Sequence, residues 1–494
     1  MLSPSPKNIL FLLSDQHHAD HMGCAGHPQA ITPNLDRLAR MGTRFTQAYT
    51  QNPICLPSRV SLLSGQYCHN HGFYGNHASP PHKLPSFLGY FRQHGYRSAL
   101  IGKVHLPDQP EPWLKDHVDC LLDTPQYAKW IRDRGKEPDH IGWPEFGGQH
   151  TSDARPSDLS FEESFEGWSV AKAREFIEAG GETPFCMELS FNRPHHSLTP
   201  AREFWDLYPE DLPMPDTWQQ DDAGRPPHFR NMVAVTSKYE GPVEPRENLT
   251  WQRRNWKGYL ACITHTDHAI GQILDYLEES GKLKDTIIIY GSDHGGYHHN
   301  HGILEKAPGI CSDAVCKVPF IWAGAGIRES TTCDALVENI DLVPTIADLA
   351  DLPPMDWVDG TSMRPLLEGT GDAIKEEAVT ENPRSKAIRW DNWRLVHYPR
   401  GMFGNEDVGE LYDIIKDPNE TTNLYASPAY RVVVEEGRRR LLEWTIRTRR
   451  IRCYHGGPHN GEYAGDGFLP RKLDPEKEIE EANRKGEIWR LNYM

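Results

Sequence analysis

The chain has 494 residues and carries 53 Lys and Arg against 70 Asp and Glu, a formal net charge of −17. That balance argues against a nucleic-acid binder, which presents a basic face, and leaves room for an anionic small substrate in a locally positive pocket. Hydrophobic residues make up 38% of the chain, with 14 Trp, 19 Tyr and 16 Phe, enough bulk for a large core and incompatible with global disorder.

In chain order, Asn8–Leu13 (NILFLL) is a compact apolar run of the kind a strand buried on both faces requires. Thr32–Arg40 is helical in spacing, and Tyr96–Ile101 follows Gly95 as a strand. Trp168–Ala179 reads as a helix and Pro184–Phe191 as a buried strand. Trp256–Glu279 is a long helical pattern stopped at Gly281, followed by the β-branched strand Thr286–Tyr290 and a further strand at Val318–Trp322. This alternation predicts an α/β fold, a mostly parallel sheet covered by helices, over residues 1–370. Residues 106–160 and 201–250 lack periodicity and read as long loops that shape a site, with Trp113, Trp130, Trp143 and Trp218 as stacking candidates or ordinary packing residues. Residues 371–450 change character: short strands at Lys386–Arg389, Trp393–Tyr398 and Glu410–Ile414, then a helix at Ala429–Thr448, predict a smaller antiparallel α+β subdomain. The polar tail 451–494 is expected to wrap the domain or a neighbouring subunit, compatible with a homo-oligomer.

No run approaches the roughly 18 apolar residues of a membrane span, and the N-terminus lacks a signal-peptide core, so a cytoplasmic protein without a membrane partner is expected. Ten Cys with no CxxC pair do not make a disulfide scaffold.

Four expected strands end in polar chemistry: Asp15; Lys103 and His105; Arg193 and His195; Asp293 and His294. Ligands of open α/β sheets sit outside the carboxyl ends of the strands, so these residues are brought to one rim. Asp15 and Asp293 supply carboxylates for a hard divalent cation, and Gln16 and His294 add an oxygen and a nitrogen. The plainer reading is that each Asp caps a helix. Lys103, His105, His195 and Lys306 form a cationic or titratable set suited to sulfate or phosphate, although any one Lys is usually a solvated charge. The His-rich run Tyr297–His301 reads as a loop or, alternatively, a zinc site. Cys55-Leu-Pro-Ser-Arg59 places a thiol at a predicted helix N-terminus, either as a reactive thiolate or as a small buried hydrophobe.

That pentapeptide, closed by Ser64-Gly65, resembles the C-x-P-S-R motif of the formylglycine-dependent (type I) sulfatases, within the alkaline-phosphatase-like superfamily. Gly95-Tyr96 and Gly102-Lys103-Val104-His105-Leu106 resemble the family's second motif. Matching blocks at Thr32–Leu38, Pro194-His195, Ser292–Gly295, Asp341–Thr345 and Glu410–Asp413 extend the likeness over nearly the whole chain.

The resemblance implies that a formylglycine-generating maturation enzyme oxidises Cys55 to 3-oxoalanine (formylglycine). The hydrated aldehyde then attacks the sulfur of a small-molecule sulfate ester. The sulfated intermediate collapses as the second hydroxyl expels sulfate. Asp15, Gln16, Asp293, His294 and the Cys55 product would hold the cation, Ca2+ first, with Mn2+ and Mg2+ as alternatives. Arg59 would fix the formylglycine turn, and Lys103 and Lys306 would neutralise sulfate oxygens. His105 would assist proton removal in the second step. His195 would contact sulfate and the leaving oxygen, with either His195 or Lys306 as its proton donor. Asp15-Gln16 and Asp293-His294 depart from the family's commoner Asp-Asp and Asp-Asn pairs and resemble the branch of choline sulfatases and phosphonate monoester hydrolases, where Asn76 is a substrate-facing candidate. The expected activity is sulfuric ester hydrolysis on an aryl, sugar or small alkyl sulfate, with phosphonate monoester or phosphodiester hydrolysis at the same site as the alternative. A catalytically silent protein of the same fold and a thiol nucleophile at Cys55 are the other readings.

Overall fold

The computed structural model describes residues 7–76, 84–106, 113–138, 154–220, 224–227, 229, 249–304, 306, 310–403 and 406–450; the tail 451–494 and Trp143 lie outside the described residues. In chain order the strands are β1 (Asn8–Asp15), β2 (Gly42–Phe45), β3 (Ala48–Tyr49), β4 (Arg97–Gly102), β5 (Cys120–Leu122), β6 (Phe185–Pro194), β7 (Thr286–Ser292), β8 (Phe320–Ala323), β9 (Thr331–Cys333), β10 (Val337–Glu338), β11 (Glu377–Asn382), β12 (Ser385–Trp390), β13 (Trp393–His397) and β14 (Gly409–Asp413).

Eight of them form one sheet in the order β5-β4-β6-β1-β7-β8-β2-β9. Every pair from β5 to β7 is parallel; β8 runs antiparallel to both β7 and β2. The expected mostly parallel sheet is therefore present. The apolar run of β1 explains its central place, because its side chains serve two cores. Ile9, Phe11 and Leu13 pack on one side with Phe87, Phe91, Val343 and Ile346, and Leu10 and Leu12 on the other with Val170, Ile177, Ile273 and Leu277. Full burial of such a side chain contributes about 1.5–3 kcal/mol. The helices Phe87–Gln93 and Leu342–Leu349 cover the first face, and Phe165–Gly180 and Leu249–Glu279 the second.

The second sheet is antiparallel, β11-β12-β13-β14, and the helix Arg431–Thr448 buries Val434, Leu441 and Trp444 against Val379, Ile388, Leu395 and Leu411. Two expectations need correction. The stretch 106–160, read as loop, contains the helix Thr124–Arg132, started by an Asp123/Gln126 capping box with a proline in its first turn. The long helix begins at Leu249, not Trp256, inside the second expected loop. Trp130 stacks on Tyr127 and under Arg134, which is ordinary packing.

Glu381 on β11 fastens the second sheet to the body built on the eight-stranded sheet. Its buried carboxylate accepts His69 Nδ1 at 2.8 Å, pairs with Lys386 and accepts the Tyr74 hydroxyl at 3.2 Å. Burial raises a carboxyl, but His69 and Lys386 outweigh it and hold Glu381 at about 2, against an ordinary 4.5. A depressed carboxyl stabilises fully above its unfolded value, and that stability disappears as pH falls from 4.5 to about 2. The shift corresponds to about 3 kcal/mol at pH 7. Glu381→Gln is expected to lower stability at neutral pH and to flatten the acid limb in that window. Parallel Tm–pH curves for the two proteins would show that the clasp carries no linked proton.

Candidate active site

Parallel neighbours place the carboxyl ends of β4, β6, β1 and β7 side by side on one rim. Gly102 ends β4 at φ +106°, where a Cβ would lie 1.9 Å from the Ser190 carbonyl oxygen; only glycine lets the chain turn there into Lys103. Across from these ends, the helix Cys55–Ser64 is buried along its whole length and stops at Gly65, φ +69°. Cys55 is its first residue, and Arg59, one turn later, lies on the same face.

Arg59 organises the floor of the site. It is 1% exposed. Its Nε donates to Asp293 Oδ2 at 2.9 Å and its Nη2 to Asp15 Oδ2 at 3.0 Å. Its Nη1 donates to the Lys103 carbonyl oxygen at 2.9 Å and Ser190 Oγ at 2.8 Å. Lys103 Nζ adds a second ion pair to Asp15 Oδ2 at 2.7 Å. Ser58 Oγ donates to the Asp293 carbonyl oxygen at 2.5 Å, tying the helix to the end of β7.

Asp15, Cys55, Asp293 and His294 converge, with one ligating atom from each within 4.8 Å of all the others. His294 Nδ1 donates to the Gly295 carbonyl oxygen at 2.6 Å, which turns its other ring nitrogen, Nε2, toward Cys55 Sγ at 3.1 Å. That nitrogen is 3.8 Å from an oxygen of each aspartate. Two carboxylates and an imidazole nitrogen, oriented through its other nitrogen, are a donor set a divalent cation fits.

The charges act strongly on one another. Burial opposes ionisation of Asp15, but Lys103, His195, Arg59 and His294 hold its carboxyl well below the usual range. Burial, then Asp15, push Asp293 up to about 6. Burial works against a charged His294, yet Asp293 and Cys55 raise it. Burial and Asp15 disfavour a Cys55 thiolate, and Lys306, His294 and a hydrogen bond from His105 nonetheless hold the thiol well below its ordinary value. Burial lowers His105 and, with Lys306 and Lys103, holds His195 far below its ordinary value, so both are neutral at pH 7.

A sequence profile of the sulfatases matches residues 7–352, and one for the C-terminal region of N-sulphoglucosamine sulphohydrolase matches 301–447. The chain belongs to the sulfatase family. It is a sulfuric ester hydrolase. The choline-sulfatase of Rhizobium meliloti is 28% identical over 439 residues, covering 85% of this chain and 83% of the relative. The arylsulfatase of Clostridium perfringens is 28% identical over 471 residues, covering 88% and 94%. In fold, this sulfatase is similar to the phosphonate monoester hydrolase of Agrobacterium radiobacter, with TM-score 0.76 at 21% identity, over 92% of this chain and all of that one.

Sequence reasoning named most of the residues the sulfatase brings together here: Asp15, Cys55, Arg59, Lys103, His105, His195, Asp293, His294 and Lys306. Gln16, expected as a ligand, has its Oε1 on Lys306 Nζ at 3.0 Å, while its backbone N–H donates to Asp293 Oδ1 at 3.1 Å. Asn76, expected to face substrate, accepts the Leu56 backbone N–H at 3.2 Å and so satisfies the first turn of the Cys55 helix, which Ile54 leaves uncapped. Arg193, expected at the pocket, is fully buried and turned to Glu166 and the Thr199 carbonyl oxygen. Ser58 stood in the C-x-P-S-R motif without a role of its own; Ser190 and Glu166 were missed, since no local signal marks a serine or glutamate outside a motif whose role is to hold another side chain. Among the described residues no helix is long and apolar enough to cross a membrane.

Proposed function

We propose that this sulfatase hydrolyses a small-molecule sulfate monoester at residue 55, after oxidation of Cys55 to formylglycine. The supporting observation is the convergence of Asp15, Cys55, Asp293 and His294 on one point. Asp15, Asp293 and His294 would hold the cation with the residue-55 oxygen, and Gln16 is a candidate further ligand. The carboxylates suit Ca2+ or Mg2+, and the imidazole favours Mn2+. Bound together, the cation and the hydrated aldehyde supply an acidified oxygen nucleophile at neutral pH.

The chain's own residues do the rest. Lys103 and Lys306 place two ammonium groups where the ester's oxygens gain charge, and a preorganised cation there needs no rearrangement as the S–O bond breaks. Arg59 stays on the two aspartates and keeps them in register. His105, hydrogen-bonded to the residue-55 side chain and neutral, is placed to take a proton from that position. His195 donates Nδ1–H to the His196 carbonyl oxygen at 2.8 Å, which leaves Nε2 for the leaving oxygen. Burial first, then Lys306 and Lys103, disfavour its protonation in the free site; an entering anion offsets the two lysines and so favours the protonated form that would give its proton to the departing alcohol. Water supplies the oxygen that appears in the released sulfate.

Phosphonate monoester hydrolysis is the second reading, favoured by the Asp15-Gln16 and Asp293-His294 pairs. The test uses protein matured with a formylglycine-generating enzyme and compares kcat/KM for an aryl sulfate with that for an aryl phosphonate monoester. The expected result is a preference for the sulfate of at least about 10-fold, or about 1.4 kcal/mol in transition-state binding. A preference of that size for the phosphonate reverses the ordering.

A further inference from the structure

His195 opens the loop that leaves β6 after Pro194 and rejoins the body at Ala201. The anchorage of this loop converges on one carboxylate. Glu166, in the first turn of the helix Phe165–Gly180, is fully buried. Its Oε1 accepts the backbone N–H of Asn192 at 3.2 Å and of Arg193 at 3.0 Å, and its Oε2 takes the Arg193 guanidinium. The far side of that guanidinium donates from Nη2 to the Thr199 carbonyl oxygen at 2.7 Å. Glu166 therefore grips the last residues of β6, from which the loop departs, directly and the far part of the loop through Arg193, with His195 between. The long helix closes the frame. Thr266 Oγ1 donates to the Arg193 carbonyl oxygen at 3.3 Å, and His265 accepts the Ala201 N–H at 3.2 Å while its Nε2 reaches Ser164 Oγ at 3.0 Å.

A buried ion pair is a poor way to gain stability, since apolar residues of the same shape often serve as well. What such a pair supplies is direction, because one planar guanidinium holds two acceptors at once, Glu166 from Nη1 and the Thr199 carbonyl oxygen from Nη2. We infer that Glu166 and Arg193 are positioning residues for His195, holding its imidazole where it meets the leaving oxygen. This rests on the proton-donor role given to His195 above.

The test measures kcat/KM for matured protein, with equal aldehyde content at residue 55 verified by intact mass, on aryl sulfates whose phenols span a wide range of acidity. A good leaving group needs little proton donation and a poor one needs much. Glu166→Gln keeps the shape and removes the charge. The expected loss is about 10-fold for the most acidic phenol and grows to about 10^3-fold for the least acidic, the reach of one general acid. His195→Ala should steepen the dependence in the same way. Arg193→Lys, which keeps a cation for Glu166 but loses the second point of the fork, should give an intermediate slope, and it carries the test if Glu166→Gln does not fold. A uniform loss in folded variants, with His195→Ala still steep, overturns the positioning role. An unchanged slope in His195→Ala overturns the proton-donor reading, and the positioning role falls with it.

Discussion

Cys55→Ser is expected to lower steady-state turnover of an aryl sulfate by about 10^5-fold to 10^6-fold, the size of effect seen when a covalent nucleophile is removed. On the proposed formylglycine reading, the reason lies in the number of hydroxyls at residue 55. A hydrated aldehyde carries two, so that one remains to expel sulfate after the other has been esterified. Serine carries one. It sits in the same pocket, within reach of Asp15 and His294, so a single transfer to it is still possible. Intact mass after incubation with substrate should then show protein bearing one sulfo group and no further product. Fold should survive, because a hydroxyl replaces a thiol at a site already lined by polar groups. A serine variant that turns over at a few per cent of the parent rate would mean that elimination from residue 55 is not part of the reaction. Full activity in protein whose Cys55 is an unmodified thiol would restore the thiol-nucleophile reading.

The rim of the sheet was legible for a physical reason. β1, β6 and β7 are buried on both faces, so each is a nearly unbroken apolar run, and the first polar residue after each run marks where the strand reaches the edge. Asp15, Asp293 and the His195 loop stand at those points. Several strands without that pattern were not found. β2 (GTRF), β9 (TTC) and β11 (EAVTEN) are short or polar, and they are strands because neighbours pair with them. The Thr124–Arg132 helix was hidden by Pro125, which reads as a breaker in isolation and is a preferred first-turn residue once Asp123 caps the helix. The site followed the same division. The residues proposed to contact a ligand come from motifs with fixed spacing, whereas Glu166 meets Arg193 from 27 positions away, and only the packed helix brings them together.

Arg59→Met is expected to remove activity and to destabilise the protein by about 3–5 kcal/mol, the usual cost of leaving a buried charge without its partner. Three features make this position severe. The side chain is 1% exposed, so water cannot replace it. Its guanidinium touches both Asp15 and Asp293, and without it Asp15 keeps its Lys103 ion pair while Asp293 loses its arginine. It also donates to the Lys103 carbonyl oxygen and Ser190 Oγ, so the ends of β4 and β6 lose a common partner. A divalent cation between Asp15 and Asp293 would replace part of the missing charge, and a ligand that binds only the folded state stabilises it. Added Ca2+ or Mn2+ should therefore raise the Tm of Arg59→Met more than that of the parent. Lysine is no substitute, since one ammonium cannot span four acceptors in the plane of a guanidinium. Unchanged Tm in the methionine variant would show that the aspartates are held by something other than Arg59. Equal metal responses in the two proteins would show that the cation and the guanidinium do not share the work of balancing these two carboxylates.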